Sequence, residues 1–238
     1  MNLVLLEEDE IDSSGPACRA RVSGRRARHI VAVHRAQPGT ELRVGVVGGL
    51  VGRATVIRVD DDEVELEATL ETGPPPPLPC TLVLALPRPK VLRRVLGAAA
   101  AFGIKRIVLF GACRVEKSYW QSPLLGEAAI REELLVGLEQ ARDTVLPSVE
   151  QRRLFRPFVE DELAALAAGG LLLVAHPCEA SDCPRDVTTP VTLVVGPEGG
   201  FVDFELALLA AAGAGAVSLG ARPLRVEHAI AALLGRLF

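Results

Sequence analysis

The chain has 238 residues, 49% of them apolar, with 26 basic against 30 acidic side chains and a net charge of −4. That composition excludes a disordered tail and leaves room for one large or two ordinary domains with real cores. The opening MNLVLLEEDEID lacks a basic leader segment, and the longest apolar run, Leu163 to Ala175, is broken by Gly169 and Gly170. A bilayer span takes about 20 apolar residues, so a soluble cytoplasmic protein is expected.

Taken in chain order, the first feature is basic. From Cys18 to Arg43 there are seven arginines and two histidines against Glu41 alone. This local patch on an acidic protein makes Arg25, Arg26, Arg28, His29 and Arg35 candidate RNA contacts, the alternative being a solvated face. QPGTELRV then reads as turn and strand. LVGRATVIRV leads through an acidic turn into EVELEA, where Val64, Leu66 and Ala68 alternate with Glu63, Glu65 and Glu67. A period of two with one wet face predicts a hairpin, and residues 1–72 are expected to form a small β-barrel. ETGPPPPLP, from Glu71 to Pro79, follows as a stiff connector, because four consecutive prolines continue neither a helix nor a central strand.

Residues 79–238 read as alternating strands and helices. The predicted order is strand TLVLAL, helix VLRRVLGAAAAFG, strand RIVLF, a helix over 126–142, a helix around VEDELAALAA, strands LLLVA and VTLVV, a helix from Val202, strand AVSL and a last helix over Val226 to Leu237. Such alternation specifies an α/β fold with a mostly parallel sheet. Ligands of these sheets bind beyond the carboxyl ends of the strands, where AHPCEA, GPEGGF and LGARPLRVEHA fall. Between the second strand and the next helix, Lys117 lies beside Tyr119 and Trp120, the only Tyr and Trp in the chain. They suit a phosphate contact with base stacking, or else an anchor in a core or interface.

The cysteines, Cys18, Cys80, Cys113, Cys178 and Cys183, are odd in number and scattered, which points to free thiols in a reducing compartment. His176, Cys178 and Cys183 lack a second cluster to complete four ligands, so no metal is expected.

In the loop after VTLVV, Gly196, Gly199 and Gly200 match neither the dinucleotide-binding nor the Walker spacing. Pro197 removes a donor, and Glu198 puts negative charge where an anion would sit. A loop of this kind suits a ligand with hydroxyls, an amine or positive charge, as in S-adenosylmethionine. The alternative is a plain glycine turn between strand and helix.

VVGPEGGF (Val194 to Phe201) followed by LGARPLRVEHA (Leu219 to Ala229) resembles the RsmE family of SPOUT methyltransferases, which methylate N3 of a uridine in 16S, small-subunit, ribosomal RNA. RARHIVAVHRAQPGTELRV is similar to that family's amino-terminal PUA-like barrel, and EQARDTVLP to the end of its EQ helix. The resemblance implies a trefoil-knotted α/β domain, a homodimer, and S-adenosyl-L-methionine bent among three loops. Residue by residue it carries over Ala175, His176 and Pro177, then Gly196, Pro197, Glu198, Gly199 and Gly200, then Ser218, Leu219, Gly220, Leu224 and Arg225. Departures from the family pattern are Val226 and His228 in LRVEHA, and AFGI, ending at Ile104, where ELGV is usual.

Methylating uridine N3 requires its proton to leave, which asks for a base or for stabilisation of the uracil anion. Arg225 has the donor fork for the anion, and Glu227 or His228 are candidate bases. A carboxylate complementing a helix N-terminus is the alternative role for Glu227, and a packed or exposed helix residue the favoured alternative for His228. The expected partners are small-subunit rRNA or the 30S subunit, with no membrane and no metal. Two other readings remain open: a SPOUT enzyme acting on another RNA such as tRNA, and a non-catalytic RNA-binding assembly factor.

Overall fold

The computed structural model describes residues 2–12, 17–60, 62–177 and 181–238. Cys178 lies outside the described residues. The chain divides into two compact units, residues 1–76 with 100–103 and 134–146, and residues 77–99 with 104–133 and 147–238.

The first unit is built on five strands: β1 (Val4–Leu6), β2 (Ala17–Ser23), β3 (Glu41–Val46), β4 (Val51–Val59) and β5 (Glu63–Thr72). Their order is β1-β3-β4-β5-β2, with β1 parallel to β3 and the other pairings antiparallel. Beyond β1, Ile11 makes an isolated antiparallel bridge with Ala20 of β2, so the two ends of the series meet. The alternation seen in EVELEA is realised, since Val64, Leu66 and Ala68 are fully buried. They face Val4, Leu6, Ala20, Val22, Val44 and Val56 in one core. Helix α1 (Gly24–Ala32) closes this core with Ala27 and Ile30, one helical step apart, and leaves its arginines outside.

The second unit is a seven-stranded parallel sheet. Strand β6 (Cys80–Ala85) runs into α2 (Pro89–Ala101), β7 (Arg106–Phe110), α3 (Glu127–Ala141) and β8 (Ser148–Arg152), with α2 from residue 100 and α3 from residue 134 counted in the first unit. Then come α4 (Phe155–Pro157) and α5 (Ala164–Leu166), flanking a π-helical stretch at Phe158–Leu163, and β9 (Leu171–Ala175). The remainder is β10 (Ser181–Asp182), β11 (Val191–Val195), α6 (Asp203–Ala211), β12 (Gly215–Ser218) and α7 (Val226–Leu237). The strand order is β10-β12-β9-β11-β6-β7-β8, every pairing being parallel.

Strand β11, all five residues buried, sits between β9 and β6. Strands covered on both faces read as continuous apolar runs, which is why VTLVV and TLVLAL show no alternation. One face packs Phe110 among Phe155, Phe158 and Phe201, with ring centroids 5.6 to 6.4 Å apart across the cluster. Because β6 and β11 are adjacent yet far apart in sequence, the chain leaves β6 toward β7 and returns to its other side. The carboxyl ends of β6, β9, β11 and β12 therefore open onto one crevice. No helix among the described residues is long and apolar enough to cross a membrane.

Candidate active site

A cavity of about 1120 Å³ occupies that crevice. Ala175, His176 and Pro177 at the end of β9 and beyond, Gly196 to Gly200 after β11, and Ser218, Leu219, Gly220, Leu224 and Arg225 at the end of β12 and beyond all line it, as does Glu227 in the first turn of α7. Each loop starts where its strand stops, so the sheet register fixes the three relative to one another. His176 N–H donates to the Val217 carbonyl at 3.0 Å, joining the first loop to β12. Val195, Val217, Val226 and Leu233 are buried and give the cavity an apolar floor.

The glycines have local reasons. Gly200 has φ +71° and Gly220 φ +107°, the left-handed region that favours glycine. A Cβ on Gly196 would lie 3.1 to 3.4 Å from three atoms of the Phe201 ring, and one on Gly199 would lie 3.1 Å from Arg114 Cδ. At these two positions an added Cβ is opposed by neighbouring side chains, Phe201 at Gly196 and Arg114 at Gly199. Glu198 is also partly committed. Its Oε1 accepts the Arg88 backbone N–H at 3.0 Å, at the start of α2, where a helix N-terminus favours a carboxylate.

The sequence reading missed one whole wall. Arg88, Pro89, Lys90, Val91 and Arg94, from the β6 loop and α2, line the cavity, and so do Tyr119 and Arg222. The signal was present, because PRPK follows directly on a parallel strand, at the carboxyl end where such sheets bind ligands. Arg94 Nη1 reaches Glu227 Oε1 at 3.0 Å, and Glu227 is largely covered. The Tyr119 hydroxyl donates to Glu116 Oε1 at 2.8 Å, and burial, then that carboxylate, push the phenol above its usual range. The wall is strongly basic: Arg88, Lys90, Arg94, Arg222 and Arg225 face the cavity with Glu198 and Glu227 as the acids among the described residues.

Lys117 is exposed in a 3-10 turn (Lys117–Gln121) and does not line the cavity. Trp120 does not line it either; the Arg153 guanidinium lies over its ring, 5.7 Å from the centroid. His228 is exposed on α7 and outside the lining.

In the first unit, Arg25 and Arg26 are engaged internally. Arg25 Nη2 donates to both Glu139 oxygens at 3.0 Å, and Arg26 holds Glu10 at 2.6 and 2.8 Å and the Leu5 carbonyl. Arg28 and Arg35 are exposed. His29 is half-buried, and burial ahead of the charges around it lowers its pKa. No group of three or more metal-ligating side chains occurs among the described residues.

A parallel sheet whose crevice gathers three loops and a basic wall defines an α/β protein with a ligand site, and the comparisons give its class. Residues 74–237 match the family model described as RNA methyltransferase domain, and the chain belongs to this family. Its relatives include ribosomal RNA small subunit methyltransferase E of Treponema pallidum, 29% identical over 98% of this chain and 88% of the relative. The protein of the same name from Mycobacterium bovis is 29% identical over 99% and 91% of the two chains. The resemblance to the RsmE family therefore runs through both units. Among solved structures, ribosomal RNA small subunit methyltransferase E from Neisseria gonorrhoeae, bound to S-adenosyl methionine, has the same fold, with TM-score 0.77, 22% identity and coverage of 99% and 96%.

Proposed function

We propose that the protein is an S-adenosylmethionine-dependent methyltransferase acting on N3 of a uridine in small-subunit ribosomal RNA. One observation carries the reading: the residues expected from three separate loops to hold the cofactor all line one cavity. The donor set suits this ligand. An apolar floor suits adenine, backbone groups of the three loops suit ribose and amine, and Glu198 and Glu227 favour a positively charged sulfonium. When bound, the cofactor supplies an electrophilic methyl group.

The remaining work falls to this chain's residues. The basic wall of Arg88, Lys90 and Arg94 binds phosphate and orients the RNA at the mouth. Arg225, exposed at the start of α7, holds a uracil carbonyl oxygen and stabilises the anion left when N3 loses its proton. Glu227, oriented by Arg94, is the acceptor for that proton.

In this reading residues 1–72 are a PUA-like RNA-binding barrel, with Arg28 and Arg35 as phosphate contacts. Residues 79–238 are the methyltransferase domain, its chain threaded as a trefoil knot, working as a homodimer in the cytoplasm. The direct test is nucleoside analysis of rRNA from cells lacking the protein. N3-methyluridine should vanish from the small-subunit RNA and return with the wild type but not with Arg225→Ala. An unchanged level in the deleted cells would sink the proposal.

A further inference from the structure

Two side chains outside the cavity grip the glycine loop from behind. Arg114, in the segment after β7, donates through Nη1 to the Gly199 carbonyl. Its aliphatic stem lies across the Gly199 Cα, so that an added Cβ would meet Arg114 Cδ at 3.1 Å and Cβ at 3.3 Å. Arg114 does not line the cavity, and whatever it does for a ligand it does through the loop. Its own segment is anchored in turn. Glu205, 2% exposed in the first turn of α6, accepts the Cys113 N–H through Oε1 at 2.7 Å and the Val202 N–H through Oε2 at 3.0 Å. A buried carboxylate with both oxygens satisfied by backbone donors is a rigid joint, because loosening either bond leaves charge buried and unpaired. The joint ties the residue next to Arg114 to the residue that ends the glycine loop. The loop between Glu198 and Val202 is thus fixed at its middle by Arg114 and at its end by Glu205, while its other side faces the cavity.

We infer that Arg114 is a positioning residue: with Glu205 as its anchor it clasps the glycine loop and sets the loop's cavity side before a ligand arrives. The inference rests on the cofactor reading of the cavity only for its consequence, since the clasp itself is a property of the ligand-free chain. A loop that is in its receptive shape only part of the time binds more weakly by that fraction. Removing the clasp should then weaken ligand affinity and leave the chemical step alone.

The test is amide hydrogen exchange on the ligand-free chain, wild type against Arg114→Ala and Arg114→Lys. In Arg114→Ala, exchange over residues 196–202 should rise about tenfold, with other segments unchanged. The thermal midpoint should stay within about 2 °C, because the residue is exposed and leaves no cavity. Arg114→Lys, which keeps a donor on a similar stem, should restore most of the protection. Unchanged exchange in Arg114→Ala overturns the clasp. The S-adenosylmethionine titration of the same proteins is scored separately, with Kd expected to rise about tenfold in Arg114→Ala and kcat at saturation to hold within about twofold. Faster exchange in a chain whose wild type takes no S-adenosylmethionine would retire the cofactor assignment and leave the clasp standing. Wild-type binding with unchanged exchange would do the reverse.

Discussion

Arg94 Nη1 sits 3.0 Å from Glu227 Oε1, joining α2 to the first turn of α7 across the cavity. Glu227 is only 10% exposed while Arg94 is 60% exposed, so the carboxylate is held and the guanidinium stays open to a substrate. With Glu227 as proton acceptor, Glu227→Gln should slow methyl transfer about 100-fold. S-adenosylmethionine affinity should fall by only about threefold, since Glu198 remains as the second carboxylate facing the sulfonium. Single-turnover rates and cofactor titration check both. A wild-type rate would mean that Glu227 serves only to cap α7 and orient Arg94.

The arginines of α1 should separate by role. Arg26 is 19% exposed and its partner Glu10 13%, so Arg26→Ala leaves a covered carboxylate without its cation and should cost about 1 to 3 kcal/mol. Arg28→Ala and Arg35→Ala should change stability by less than about 0.5 kcal/mol. Each should instead lower the slope of log affinity for rRNA against log salt by about 0.7 to 0.9. Urea midpoints and binding at several salt concentrations distinguish the two groups.

Much of the second unit was legible because its signals are local. Each strand of TLVLAL, RIVLF, LLLVA and VTLVV is a short apolar run, and all four formed within a residue or two of the expected place. The glycine loop and LGARPLRVEHA were legible as ligand loops because they follow such strands. Three elements of the first unit were not. In α1 only Ala27 and Ile30 face the core, too few to show a helical period among arginines. Strand β1 is three residues long, and β2 alternates buried Cys18, Ala20 and Val22 with arginines that drew attention as charge rather than as the wet face of a strand. The edge strand β8, SVEQR, has no buried residue but forms by pairing with β7, a tertiary cause that sequence pattern does not carry. The basic wall of the cavity escaped for a similar reason, because Arg88 meets the glycine loop only once β6 and β11 are neighbours.

Glycine positions should respond according to what a Cβ meets. In Gly196→Ala the new methyl meets Phe201, which stacks on Phe110 with centroids 6.2 Å apart. The ring has little room, so a loss of about 1 to 3 kcal/mol is expected, with weaker cofactor binding. Gly235, exposed in α7 with no atom within 4 Å of an added Cβ, is the opposite case. Gly235→Ala should gain about 0.5 to 1 kcal/mol and leave binding untouched. Thermal melts of the two variants check the contrast.

Glu139 supplies a pH signature. Its side chain is 3% exposed, and burial raises its pKa despite the opposing Arg25 guanidinium. The folded state therefore holds this proton more tightly than the unfolded chain. The associated stability is full at acidic pH, below the ordinary carboxylate range, and is lost as pH rises through the folded value. Relative to Glu139→Gln, the wild type should become less stable as pH rises above the ordinary carboxylate range. Urea midpoints at three pH values across that range give the sign, and a wild type that gains stability relative to Glu139→Gln as pH rises would contradict the assignment.

The measurement that bears most directly on the account is calorimetric titration of the purified chain with S-adenosylmethionine, beside Gly196→Ala. Saturable binding by the wild type, weakened in the variant, is the predicted result, since the three loops lining one cavity are read as the cofactor site. A folded wild-type chain that takes up no S-adenosylmethionine, either alone or with small subunits present, would contradict it.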